Sequence, residues 1–142
     1  MDLRGILEGP EPSKAVPVVQ HDHVPRQAMK MDGQPQNAYP RKNWSSLMLF
    51  NSAHPVTRAL TSDVVDRLTP AQLHRFEWAG GDAAIGALAP SWNFLVGEYA
   101  PPPHPPFGIH FTNGGPWFPG MEAVDYASLW GSEGRLGAAA QS

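Results

Sequence analysis

The chain has 142 residues, a net charge of −3, a 42% hydrophobic share and a 16% charged share. That is one domain's length, enough to bury roughly two-thirds of the unfolded surface. The acidic balance removes the electrostatic case for binding a nucleic acid polymer, and the absence of cysteine removes disulfides, thiolate metal sites and a cysteine nucleophile. Fourteen glycines and sixteen prolines make up over a fifth of the chain, well above the roughly 12% of an average protein. With five tryptophans and several apolar runs, this composition predicts a loop-rich α/β fold rather than disorder.

In chain order, residues 2–7 predict a short helix closed by Gly9 and Pro10, the start of an N-terminal helix and linker over 1–15. Acidic residues and proline there do not suit a signal peptide, and no run of about 18 apolar residues occurs. A cytoplasmic protein without a transmembrane segment is expected. "KAVPVVQHDHVP" predicts a strand carried by Val16, Val18 and Val19. A polar, proline-punctuated loop follows from Arg26 to Lys42, and its length suits binding.

"WSSLMLFN" is a continuous apolar run that predicts a central strand covered on both faces. Two short helices come next. Thr61 caps the first, with Asp63 in its opening turn, and Thr69 caps the second, with Pro70 at the first helical position. "DAAIGALAP" predicts a third short helix with Asp82 at its start. "SWNFLVGEY" and "IHFT" predict strands, with "APPPHPPFG" running between them as polyproline. Val124, Leu129 and Trp130 are expected to dock a final helix, and 131–142 to form a flexible tail. One domain spans 1–142.

Six histidines supply the transition-metal donors in a chain without cysteine. In an extended segment, His21 and His23 share a face, which leaves two readings: half of a metal site, or a polar strand end. His110 opens "HFTNGG", where bare backbone suits either an anion-binding nest beside a metal ligand or a tight turn with Pro116-Trp117 as a lid. Arg41 and Lys42, next to the expected central strand, are placed either to meet a phosphorylated substrate or to lie solvated. Trp44, Trp92 and Asn93 pair flat apolar faces with amides, which suits either a sugar ring or the core.

The order "PRKNWSSLMLFN", "LHRFEW", "DAAIGALAPSWN", "IHFTNGGPW" resembles the second half of the retaining, glycogenin-like glycosyltransferases of family eight and their bacterial relatives, over residues 16–130. The resemblance implies an incomplete GT-A α/β domain with a mixed sheet and short helices. It also implies a nucleotide-diphosphate sugar donor, an unknown acceptor and a Mn2+ ion that this chain alone would not hold. Carried over, Asp82 is the catalytic carboxylate and His110 the metal ligand. Asn43, Trp44 and Ser45 fall at the family's amide turn, Trp92 and Asn93 on its Trp-Asn pair, and Gly114, Gly115 and Trp117 on the diphosphate loop.

The chain departs from that pattern in three places. Gly115 stands where the phosphate-binding lysine is expected, and Trp117 lies one residue nearer the histidine. Ala83 and Ala84 follow Asp82 where the family has Gln-Asp. The Asp-x-Asp half is not found ahead of residue 16. The sequence therefore implies a truncated transferase, weak or inactive alone, or else a non-catalytic carbohydrate-binding or assembly module that works with a companion chain carrying the nucleotide-binding half.

Overall fold

A computed structural model of the chain describes residues 3–22, 24–26, 28–29, 35–36 and 38–131. The chain divides into two units, one from residues 1–24 and 38–93, the other from residues 25–37 and 94–142.

In the first unit, α1 (Arg4–Glu8) ends at Gly9 and buries Ile6. Strand β1 (Val16–Val18) is buried at every position. Its valines favour the extended backbone, and their bulk fills the space between neighbours. Strand β2 (Ile85–Ala87) pairs parallel to it, with Val16 opposite Ile85 and Val18 opposite Ala87. Gly86 is needed there because a Cβ would lie 2.9 Å from the Lys14 side chain and 3.2 Å from the Pro17 ring.

On the other edge of β1, Leu49 N–H donates to the Pro17 carbonyl at 3.0 Å and Asn51 N–H to the Ala15 carbonyl at 2.9 Å. The apolar run "WSSLMLFN" is therefore not a central strand. It opens as a 3-10 turn at Trp44–Ser46 and then makes a single antiparallel bridge, Met48 to Val18, with Met48 and Phe50 exposed.

Three short helices come next along the chain: α2 (Pro55–Ala59), α3 (Ser62–Arg67) and α4 (Pro70–His74). The Thr61 side chain accepts from Val64 N–H, and Thr69 forms a full capping box with Gln72. Each hydroxyl satisfies an amide that the first helical turn leaves without a partner. The α2 helix was not expected; His54 caps it by accepting from Val56 N–H.

The helix expected at Asp82 is one 3-10 turn, Asp82–Ala84, which runs straight into β2. Pairing with β1 across the chain outweighs the local helical signal there, since Ala15 N–H donates to the Ala84 carbonyl and Leu88 N–H to the Val18 carbonyl, each at 2.8 Å. Two cores result. One joins Val16, Val18, Phe76, Ala79 and Ile85, and the other joins Ile6, Val19, Leu88 and Trp92.

In the second unit, β3 (Phe94–Leu95) and β4 (Ile109–His110) pair parallel, with Phe94 opposite Ile109 and Leu95 opposite His110. Leu95 and Val96 are buried, and the Phe94 ring meets Tyr126 edge-on at 5.7 Å. Residues 127–131 are helical; Leu129 and Trp130 are exposed, and the Trp130 ring lies 4.5 Å from that of Trp117. The tail expected at 131–142 lies, but for its first residue, outside the described residues.

The fold is thus loop-rich mixed α/β, with short helices and, among the described residues, two small parallel pairs. Among the described residues no helix is long and apolar enough to cross a membrane.

Candidate functional site

Parallel strands expose their ligand-binding chemistry at their carboxyl ends, and in both units that is where polar side chains gather. In the first unit, His21 follows β1 and is buried. Trp44 donates its indole N–H to the His21 carbonyl at 2.8 Å. The Asn93 amide nitrogen lies 3.1 Å from His21 Nε2 and donates to Ser46 Oγ at 2.7 Å, while the Ser46 hydroxyl donates to the Asn43 carbonyl at 2.6 Å. In this amide orientation both hydrogens are spent, so Nε2 accepts and the ring proton sits on Nδ1.

The structure thus brings Asn43, Trp44 and Asn93 together and adds His21 and Ser46, which sequence reasoning had not placed there. Ser45 instead reaches His74 Nδ1 at 2.7 Å, and Trp92 packs into the apolar cluster with Ile6 and Val19. His23 lies outside the described residues.

Asp82 has an exposed carboxylate that pairs with the Arg41 guanidinium. Arg41 also donates to the Arg75 carbonyl. The Arg41 guanidinium stands 5.8 Å from the Trp44 ring centre. Two nearby cations share a different ring, with Lys42 Nζ at 5.1 Å and Arg75 Cζ at 5.7 Å from the centre of Tyr39.

In the second unit, Glu98 follows β3 and is 3% exposed. Its Oε1 accepts from the Asn113 amide at 2.7 Å and its Oε2 from Arg26 N–H at 3.3 Å. Asn113, in the loop after β4, accepts in turn from the Gln36 amide at 3.2 Å. A carboxylate has about four lone-pair positions. Among the described residues, two serve these contacts. The sequence reading missed Glu98; the signal that could have found it is a single acid just past an apolar run, in "FLVGEY".

The loop "HFTNGG" is the tight turn rather than an open nest, because Thr112 N–H donates to the His110 carbonyl and Gly114 N–H to the Phe111 carbonyl. Gly114 turns the backbone at φ +113°. Gly115 must be bare, since a Cβ would run into the Trp117 ring. Trp117 is not a lid on the core. It is 49% exposed and joins an aromatic group in which Trp130 lies 4.5 Å and Phe111 5.7 Å from its ring centre.

His110 Nδ1 is buried with no hydrogen-bond partner. Burial pulls this imidazole below the ordinary histidine range, because the charged form would lose water. The unfolded chain then takes up a proton that the folded chain refuses. The stability contributed by His110 is therefore whole above about pH 6.5 and is lost as pH falls through the folded value. His110→Leu is expected to flatten the fall in urea midpoint between about pH 7.5 and pH 5. Superimposable profiles for the two chains would show that this ring does not cause the slope.

Among the described residues no group of three His, Cys, Asp or Glu side chains could hold a metal ion. Among them His110 belongs to no such group.

The architecture defines the class of protein as loop-rich α/β with small parallel strand pairs. No protein-family model and no solved structure matches the chain. It is similar to Protein CDI of Arabidopsis thaliana, with 40% identity over 136 residues covering 93% of this chain and 52% of that protein. The chain therefore spans about half the length of the curated relative it matches. This corrects the resemblance drawn from sequence. The relative is a plant protein whose name specifies no glycosyltransferase, and the assignment to the bacterial, glycogenin-like family does not stand. The shared order of short motifs misled because each is built from residues that caps, turns and cores also require.

Proposed function

We propose that this chain is the sugar-binding portion of a protein that transfers a glycosyl group from a nucleotide-diphosphate sugar to an acceptor, as part of an incomplete GT-A-like α/β domain. The nucleotide-binding half and any metal-binding Asp-x-Asp are supplied by polypeptide outside these 142 residues. The carrying observation is the loop pair beyond β3 and β4, where the Glu98 carboxylate meets the Asn113 amide. A sugar's hydroxyl rim needs carboxylate and amide partners of this kind, and the exposed face of Trp117 suits its apolar side.

The roles of this chain's residues are binding and orientation. Glu98 and Asn113 take hydroxyl hydrogens, with Gln36 holding the Asn113 amide in one orientation. The buried pair of Asn93 and His21 fixes the Trp44 turn.

A second reading is favoured by Asp82, whose carboxylate is engaged by Arg41. In that reading the chain is a non-catalytic carbohydrate-binding or assembly module that works with a separate nucleotide-binding chain.

Calorimetric titration with a panel of nucleotide sugars and free sugars, alongside a transfer and hydrolysis assay, tests the proposal. Saturable binding at millimolar or tighter affinity is expected, weakened about tenfold by Asn113→Ala. Turnover is expected only when a nucleotide-binding partner is added. Binding without turnover in any combination would favour the module reading, and no saturable binding of any sugar would remove both.

A further inference from the structure

We propose that His54 is a proton-operated latch on α2: while neutral it caps the helix and holds it against the β1 core, and on taking up a proton it loosens the helix. The inference rests on the geometry of the first unit alone and is independent of the sugar-transfer reading.

The tautomer follows from the partner. Val56 N–H donates to His54 Nδ1 at 3.2 Å, and a backbone amide can only donate, so Nδ1 carries a lone pair and the ring proton sits on Nε2. Pro55, at the first helical position, has no N–H. Val56 therefore supplies the first amide of the helix, and the His54 ring is what satisfies it.

A proton added at Nδ1 removes that acceptor and turns one donor toward another. It also sets a positive charge beside the partly positive amides of the first helical turn. Both effects oppose the cap. Serine, threonine or asparagine at this position would cap at any pH, whereas histidine caps only in its neutral form.

What the latch holds is defined by the contacts on either side of it. Asn51 fixes the approach, since its side chain donates to the Pro12 and Lys14 carbonyls at 3.0 and 3.2 Å and its carbonyl accepts from His54 N–H at 3.0 Å. The backbone at His54 is thus anchored without help from the ring. Beyond it, Val56 packs against the cluster of Val16, Val18 and Phe76, and the Thr57 hydroxyl donates to the Ala15 carbonyl at 3.0 Å. The helix has five residues, and one so short is marginal without such support.

The charged groups nearby do not compensate. Arg58 lies on α2 itself, Asp63 opens α3, and Glu77 lies on the 3-10 turn Glu77–Ala79 that packs against α2. Lys14, whose carbonyl Asn51 engages, pairs with Glu11 at 3.7 Å. Among the described residues none of these forms an ion pair with His54, so no carboxylate holds an imidazolium in the cap.

Residue-resolved NMR on the full chain between about pH 7.5 and about pH 5 tests the latch. At the upper pH the ring nitrogen shifts should identify His54 as the Nε2–H tautomer. As the pH falls, the Val56 amide signal should titrate with the same midpoint as the His54 ring, and hydrogen-exchange protection of the Val56 and Arg58 amides should fall at least about threefold. His54→Asn supplies a cap that does not titrate, and should keep the helix while flattening both responses. His110→Leu should leave both in place, which separates the latch from the buried ring of the second unit. An Nδ1–H tautomer at the upper pH, protection that does not change with pH, or a Val56 response that persists in His54→Asn would overturn the proposal. The tautomer is read on the parent chain, so this test stands even if the variant fails to fold.

Discussion

Truncation of Phe76 to alanine is expected to lower the unfolding free energy by about 3–5 kcal/mol. Phe76 is among the largest fully buried side chains, at 1% exposure, and packs with Val16, Val18, Ala79 and Ile85. Its ring also meets Trp78 at 5.9 Å. Removing it leaves a cavity that β1 and β2, held together by their own pairing, cannot collapse to fill.

The backbone at Phe76 adds a second, opposing effect. Its φ is +59°, the left-handed position that ends α4, where Phe76 N–H donates to the Leu73 carbonyl at 3.1 Å. Glycine usually occupies such a position. Phe76→Gly should therefore cost about 1 kcal/mol less than Phe76→Ala, because it loses the same ring but relieves the strained backbone. Urea denaturation of the three chains measures both effects. An alanine variant within about 1 kcal/mol of the parent would show that the ring is not a core element.

The second large effect is expected at Glu98. Glu98→Ala leaves the Asn113 amide and the Arg26 N–H without their acceptor in a site where Glu98 is buried. A buried donor left unmatched costs about 1–3 kcal/mol, and because both bonds are only part-buried a loss of about 2 kcal/mol is expected for the two together. Glu98→Gln retains the shape and one acceptor oxygen but turns an amide donor toward a donor, and should lose roughly half as much. At roughly 3 °C per kcal/mol for a chain of this size, thermal melts separate the two variants. If both melt with the parent, the carboxylate is not holding the loop beyond β4.

Much of the local structure was legible because its causes are local. Thr61 and Thr69 announce helix starts through their own hydroxyls, Pro70 fits only the first turn, and the valines at 16 and 18 favour an extended backbone whatever surrounds them. The short strand at Ile109–His110 was legible for the same reason. The "WSSLMLFN" run failed as a strand because an apolar run does not say which edge has a partner. The Trp44 indole is drawn to the His21 carbonyl, and residues 47–51 pair with β1 through only a few bonds. The candidate site was only partly legible. Asn43, Trp44 and Asn93 do meet, but they are joined through His21 and Ser46 by contacts that no spacing rule reaches. Glu98 could be noticed only as an acid out of place.

The sequence alone determined where α3 and α4 begin and that the chain would be rich in loops, since these depend on a few neighbouring residues at a time. Only the tertiary structure decided that Asp82 leads into a strand rather than a helix, that Glu98 shares its carboxylate with Asn113, and that Lys42 and Arg75 face one ring. Those outcomes depend on residues far apart in the chain whose burial and hydrogen bonding are settled together, after local preference has been outweighed.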